Sequence, residues 1–538
     1  MRIFTNNIAA CKTVLCRNIV IIQKALTQQA AKFAEKMRAE LYVNTLRLKH
    51  RTGTSLCGVL TDLGIKVNIV NNVNKDRTIY KRALKLAVPI MVQNGITNMV
   101  GLIDNIMVGS LGSESITAVS IVTQLIFVFN LAIFGGFSGP GIYGAQYYGK
   151  GDLEGFRNTV RIKHWIGLAV LIGGILLFFF GGDFLIGLYL KGESEDVDPV
   201  LTMGLAKEYL SVMLWGLPFF VAGQIFTSSL RETGNSVKPM ISGIVSVFMD
   251  ILFNYLLIYG NFGFPCLEVK GAAVATVIAR VTEALTVIIW AFAAKKKHIF
   301  LQGLYRTLLL KGAVVWKLLK KSIPIFFNEL LWAAGLAVLT QCYSVRGLDI
   351  VAGINISNAL CNLFNVVFVA LGNAVGILTG QTLGASKYGQ AKKDAFKLVR
   401  FTAVICVVLA AGLISVSGLF PSFYNTTDAI KGYARDFIII TALFFPIQGI
   451  LNSLYFTLRS GGKTFITFLF DSVYSWVLPI PCAFLLCNLT SVPILAVYAF
   501  IQGADLIKVA IGAVLIRKGI WISNLADDEK ILKETAVS

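Results

Sequence analysis

From about residue 80 to residue 516 the chain alternates long apolar runs with short polar breaks. The runs lie near 83–108, 116–143, 162–186, 204–228, 238–259, 271–294, 322–345, 350–383, 398–420, 433–457, 464–487 and 492–516. Each approaches or exceeds the roughly 20 residues that a helix needs to cross a hydrocarbon core, so twelve transmembrane helices are predicted. The alternating ten-residue pattern of a membrane barrel is absent. The second and eighth runs are longer than one crossing requires, which predicts a bend or a cytoplasmic end at Gly135-Gly136 and at Gly372.

The pattern repeats. The segment from Pro218 to Leu230-Arg231 recurs from Pro446 to Leu458-Arg459, with proline and Leu-Arg in the same frame, at an offset of 228 residues. Pro89 and Pro324, Gly112 and Gly347, and Gln146 and Gln381 keep an offset of 235. Parallel repeats of six spans are how many secondary transporters build two lobes around a central path. The expected architecture is an all-α polytopic membrane protein with two pseudo-symmetric six-helix lobes. Residues 1–78 form a basic N-terminal extension, 79–294 the N-lobe with helices 1–6, and 295–321 a cytoplasmic inter-lobe linker. Residues 322–518 form the C-lobe with helices 7–12, and 519–538 a cytoplasmic tail.

Composition agrees: 56% of the 538 residues are hydrophobic and 14% charged, with a mean hydropathy of +0.71, values no water-soluble domain of this size shows. The net charge of +20 is concentrated early. The first 82 residues carry 15 Lys and Arg against four Asp and Glu, a surplus of 11 that suits anionic lipid, while no recognition motif points to nucleic acid. Lys150, Arg157, Arg161 and Lys163 follow span 2, Arg231 and Lys238 follow span 4, and Lys387, Lys392, Lys393 and Lys397 follow span 8. By the positive-inside rule both termini are expected in the cytoplasm of a multi-pass plasma-membrane protein. It is expected to act as a monomer. The nine cysteines form no CxxC, and His50, His164 and His298 fall near or outside span ends, so a histidine metal site is not expected, nor any cofactor beyond a coupling sodium ion or proton. No HExxH, nucleophile elbow or phosphate loop supports an intramembrane enzyme.

The sequence resembles the multidrug and toxic compound extrusion (MATE) family at Val100-Gly-Leu-Ile-Asp104-Asn-Ile-Met-Val-Gly109-Ser-Leu-Gly112, at Ala118-Val-Ser120 and at Gly144-Ala-Gln-Tyr-Tyr-Gly-Lys-Gly-Asp152. Leu230-Arg231-Glu-Thr-Gly-Asn and Lys270-Gly-Ala-Ala-Val-Ala-Thr276 extend it, so that it covers about residues 80 to 520. The resemblance implies a two-lobe antiporter that expels amphipathic, often cationic compounds in exchange for protons or sodium. A related lipid-linked precursor flippase would share the plan but is expected to need cationic residues in its cavity; here the cavity-facing charges read as acidic.

Ionisable residues at membrane depth cost at least about 2.5 kcal/mol on the insertion scale, so each is a functional candidate. Asp104, Asn254 and Thr276 fall roughly five residues from the outer ends of spans 1, 5 and 6, and Asp250 about ten, near 8 Å and 15 Å deep. Asp250 and Asn254 are i and i+4, on one helix face. Two carboxylates this close do not both stay ionised unless a proton or cation intervenes. Carboxylate, amide and hydroxyl oxygens suit sodium, and the same set could bind a proton; the alternative is a structural polar network. Matching MATE positions include acidic or amide groups in spans 1 and 5 and a threonine in span 6, although some members carry Asn before Asp where this chain has Asp250 before Asn254.

Arg280 with Glu283, and Asp505 with Lys508, are i, i+3 pairs in spans 6 and 12 and read as internal ion pairs that pin the lobes. Glu329 stands alone in span 7, where the resemblance implies cation or substrate binding. Gln448 occupies a position that one family branch fills with an acid, and it and Glu329 are counted with the candidate substrate or cavity residues. Asn355, Asn358, Asn362 and Asn365 step along one face of span 8, either lining the cavity or packing the lobes.

Overall fold

The computed structural model describes residues 65–190, 198–295, 298–424 and 426–527. The chain falls into two units, Met1–Ile79 and Tyr80–Ser538. Of the first, residues 65–79 are described, as the opening turns of a helix. The rest of the extension, with His50, Cys11, Cys16 and Cys57, lies outside the described residues, as do residues 528–538.

Twelve helices among the described residues are long and apolar enough to cross a membrane. In the N-lobe they are α1 (Ile65–Gly109), α2 (Ser113–Lys150), α3 (Leu153–Tyr189), α4 (Pro199–Glu232), α5 (Val237–Tyr259) and α6 (Glu268–Ala293). In the C-lobe they are α7 (Gly312–Ser344), α8 (Leu348–Gly384), α9 (Tyr388–Val416), α10 (Asp428–Ser460), α11 (Thr464–Leu489) and α12 (Ile494–Lys518). Helices α2, α4, α8 and α10 all terminate toward one end of the molecule. That end is called basal here, and the other apical.

Most helices outrun their apolar runs, because hydrophobicity fixes what sits in lipid while capping fixes where the helix stops. Asp152 caps α3 by accepting from the Gly155 amide at 2.9 Å, and Asp198 caps α4, with Pro199 at its first position. No helix end occurs at Gly135-Gly136 or Gly372: α2 and α8 pass through both sites unbroken. These glycines allow close packing instead. A Cβ on Gly135 would meet the Phe326 backbone of α7, and one on Gly372 would meet the Asn452 amide of α10. Likewise α7 begins at Gly312, inside the stretch expected as linker. The remaining linker lies across α3, where Arg161 donates to the carbonyls of Leu304 and Gly303 at 3.0 and 3.1 Å and Trp165 to that of Leu308 at 2.9 Å.

The repeat is visible in backbone geometry. Gly112 and Gly347 precede α2 and α8 with φ of 128° and 131°, a conformation L side chains rarely adopt. Pro89, Pro218, Pro324 and Pro446 all sit inside helices. In the C-lobe alone, α11 contains a π-helical turn at Leu469–Val473, a feature often found at functional sites.

Lipid offers no hydrophobic drive for helix association, so contacts depend on close packing and polar bonds. Helix α2 is the hub, packing on α3 and α4 in its own lobe and on α7 and α8 across the divide. Residues 519–527 turn back beneath both lobes. Trp521 is buried in a C-lobe cluster with Leu458 and Phe470, while Leu525 and Ala526 join the N-lobe core with Tyr143 and Phe156. What was expected as a tail is, over these residues, an inter-lobe contact.

Candidate ion site and central cavity

Near the apical end of the N-lobe the ends of α1, α5 and α6 bring four oxygen-bearing side chains together. Asn254 donates through Nδ2 to Asp104 Oδ1 at 2.8 Å. The carboxyl groups of Asp104 and Asp250 are close enough to interact with each other, and Thr276 lies close to Asp250. Tyr209 of α4, which the sequence reading did not single out, is buried close to Thr276. Asp250 and Asn254 are buried, and Asp250 Oδ1 and Asn254 Oδ1 have no partner. Among the described residues no Lys or Arg nitrogen lies within 4.0 Å of either carboxylate. The donor set therefore consists of oxygens, two of them free to accept, which fits a proton or a hard monovalent cation.

The ion pairs expected within α6 and α12 do not form. Arg280 instead stacks over the Phe220 ring at 5.3 Å, and Glu283 accepts from Gln93 at 3.3 Å. Gln93 in turn accepts from Arg231 at 2.7 Å. Lys508 passes over Asp505 and bonds Asp471 of α11 at 2.5 Å, while Asp505 accepts from Gln448 at 2.5 Å. An i, i+3 spacing permits a contact without requiring it, and partners on neighbouring helices win here. The π turn carries Asp471 toward both Lys508 and Asn328, whose Nδ2 donates to it at 3.1 Å. Asp471 was missed in the sequence, although an acid in the apolar run of span 11 could have marked it.

A cavity of about 300 Å³ lies between the lobes, walled by α2, α4, α8 and α10. Phe134, Phe137, Phe220 and Phe456 supply its apolar surface, and Asn130, Gln224, Ser228 and Asn373 its neutral polar groups. Its charged lining residues are Arg231, Glu232 and Arg459. The expectation of an acidic cavity is thus corrected. Of the expected lining residues, Glu329, Asn355, Asn358, Asn362 and Gln448, none lines it. Glu329 lies against α2 at Gly135 and meets Tyr455. Asn355, Asn358 and Asn362 lie in the apical half of α8 and are exposed, eleven residues or more from Asn373, about 16 Å at 1.5 Å per residue. Asn365 donates to Asn362 at 3.3 Å.

Below the cavity the basal end is closed by one contact made twice. Gln146 of α2 donates to the Ser460 carbonyl at the end of α10, at 2.8 Å, and Gln381 of α8 donates to the Glu232 carbonyl at the end of α4, also at 2.8 Å. The partners obey the repeat: 381 − 146 = 235 and 460 − 232 = 228. Gly149 and Gly384, again 235 apart, permit the approach, since a Cβ on either would strike the backbone at the opposite glutamine.

The MatE family model matches residues 89–256 and 324–485, one segment in each lobe. The chain belongs to the MatE family. It is a multi-pass membrane protein of a multidrug-transporter family. It is similar to the probable multidrug resistance protein YoeA of Bacillus subtilis (strain 168), at 25% identity over 80% of this chain and 92% of that one. It also resembles the probable multidrug resistance protein NorM of Thermotoga maritima, at 24% identity over 76% and 86%. Among solved structures, the Vibrio cholerae MATE transporter VcmN, solved as a mutant, superposes with a TM-score of 0.74 at 15% identity, over 83% of this chain and 98% of that one. An outward-facing multidrug resistance MATE family transporter gives 0.73 at 19% identity, over 82% and 96%. At such identities the structures speak for the fold alone.

Proposed function

We propose that this MatE-family protein is an antiporter that exports small amphipathic molecules from the central cavity, driven by a proton or sodium ion bound at Asp104, Asp250, Asn254 and Thr276. The observation that carries this reading is the pair of facing carboxyl groups, with no basic nitrogen within 4.0 Å and two unpartnered oxygens in the cluster. An acid pair at membrane depth is costly unless it binds something that arrives and leaves. The basal end, next to Lys150, Arg157, Lys387 and Lys392, is assigned to the cytoplasm of the plasma membrane. The ion site then opens toward the outside, and inward ion movement releases about 2.3 kcal/mol per charge per 100 mV.

Alternating access follows from the two ends: the lobes part at the basal end to load substrate, and close there to release it. A lipid-linked precursor is a poor fit to a cavity of about 300 Å³. The deciding experiment uses purified protein in proteoliposomes, with a pH gradient or a sodium gradient imposed separately and efflux of a dye panel recorded. Gradient-dependent efflux that Asp104→Asn removes supports the reading; efflux indifferent to both gradients overturns it.

A further inference from the structure

The walls of the central cavity carry a charge that an exporter of cations would not need. Arg231 and Arg459 occupy equivalent places in the two repeats, 228 residues apart, and both line the cavity. Arg459 is 7% exposed and held in an aromatic cage, its guanidinium 5.5 Å from the Phe134 ring centre, 5.9 Å from Tyr455 and 5.3 Å from Phe456. Among the described residues its Nη1 has no hydrogen-bond partner, and neither has Arg231 Nε, although Arg231 Nη2 donates to Gln93. Buried guanidinium nitrogens are nearly always paired, so unpaired ones at the edge of a cavity mark where a ligand's acceptors belong.

The acids do not cancel this charge. Glu232, the single acid among the lining residues, is held through Oε1 at 2.5 Å by the fully buried Lys163, which balances its charge, although among the described residues its Oε2 has no partner. Glu329 and Glu283 stand behind the wall, and among the described residues neither forms a salt bridge within 4.0 Å of Arg459 or Arg231. The lining therefore carries two arginines against one acid, and that acid is already held by Lys163, while Glu283 and Glu329 act on the arginines only from behind the wall and beyond salt-bridge distance. Gln224, Asn130, Ser228 and Asn373 add neutral polar groups, and four phenylalanines with Ile133, Ile142 and Ile377 supply most of the apolar lining. Guanidinium groups bind planar oxyanions through paired N–H donors.

We propose that the cavity is built for an organic anion: a small aromatic molecule whose carboxylate or sulfonate is held by Arg459 and Arg231, with its apolar body against Phe134, Phe137, Phe220 and Phe456. This rests on the reading of the cavity as the transport site and reverses the substrate charge expected from the sequence.

The test measures binding of three probes sharing one fluorophore to the full-length protein in phosphatidylcholine nanodiscs. They are dansylglycine (anionic), dansylcadaverine (cationic) and dansylamide (neutral). Dansylglycine is expected to bind at least tenfold more tightly than either of the others. Arg459→Gln should reduce its affinity about tenfold, equivalent to 1.4 kcal/mol, and Arg231→Gln should reduce it in the same direction, while dansylamide binding stays unchanged in both. If Arg459→Gln does not fold, the order of the three probes on the wild-type protein and the Arg231→Gln result decide. Tightest binding of dansylcadaverine, or dansylglycine binding insensitive to both arginines, overturns the anion assignment and leaves export standing. Failure of all three to bind the wild-type protein overturns the cavity as a substrate site, and the anion assignment with it.

Discussion

The two lobes share a fold and differ in the acids that stand at membrane depth on their outer helices. In the N-lobe, Asp104 and Asp250 face each other with an amide and a hydroxyl for company and, among the described residues, no basic side chain within 4.0 Å. In the C-lobe, Asp471 is met by Lys508 at 2.5 Å and by Asn328 at 3.1 Å. The first pair is left without a basic partner, whereas Asp471 is answered by its own chain, as Glu232 is by Lys163 in the N-lobe. Duplication of a scaffold thus does not duplicate a site, and a paired acid can serve as a structural fixture where an unpaired one serves as a binding place.

The sharpest way to break this contrast is Asp104→Asn. Gradient-driven efflux from proteoliposomes should fall at least tenfold, with the thermal transition in detergent retained. Asp505→Asn, in the C-lobe, should leave efflux within about twofold of wild type, because that acid accepts from the Gln448 amide, a bond the new side-chain carbonyl can also accept. Equal losses in both would erase the distinction. Asp471→Asn should act on stability instead. It strands the 5%-exposed Lys508 side chain at a cost of about 3 kcal/mol, read as a lowered unfolding midpoint in detergent. The double change Asp471→Leu with Lys508→Met should recover most of that loss, since neither charge of the pair then remains; no recovery would argue that the pair does more than hold helices together.

Two smaller effects sharpen the picture. Gln146 holds the Ser460 and Ser523 carbonyls and the Leu525 amide, three bonds, whereas Gln381 holds the Glu232 carbonyl and accepts from Arg82. At about 1 kcal/mol per bond, Gln146→Ala should loosen the basal end more than Gln381→Ala. The readout is the rate at which a membrane-impermeant maleimide added on the basal side labels a cysteine placed at Ser228; the reverse order would mean that the tail contributes nothing to closure. The mildest change, Thr276→Val, removes one hydroxyl from the ion site. It should weaken the apparent affinity for the driving ion about fivefold, measured as the gradient needed for half-maximal efflux, without altering the maximal rate.

How much of this was legible depended on what each feature rests upon. Twelve spans and two repeats could be read directly, because crossing a bilayer requires a minimum apolar length and the matched Pro, Gly and Gln positions keep fixed offsets. The approach of Asp104, Asp250, Asn254 and Thr276 was readable from depth and from the i, i+4 relation. The Arg231 and Arg459 pair was noted as a repeat but not as a cavity wall, because the direction a side chain takes around its helix axis is decided by neighbouring helices. Lys508 shows the same limit: within its own helix Asp505 is in range, yet the π turn of α11 offers Asp471, and no local pattern in the sequence announces that turn. The asparagine stripe on α8 did fall on one helix face, but depth along the helix, not face, separated it from the cavity.

The reciprocal glutamine contact also constrains how the protein can leak. Each glutamine bonds a helix end of the opposite lobe, and the two bonds are related by the same approximate two-fold that relates the lobes. A rigid rotation that breaks one breaks its mate, and the glycine faces at 149 and 384 lose their fit together. Two resting positions and no stable half-open one are therefore expected at the basal end, as for interfaces that are bistable rather than continuously deformable. In an antiporter of the kind proposed, short-lived intermediates would deprive ions of a standing passage, so that the exchanger would be far less prone to short-circuit the gradient on which it runs.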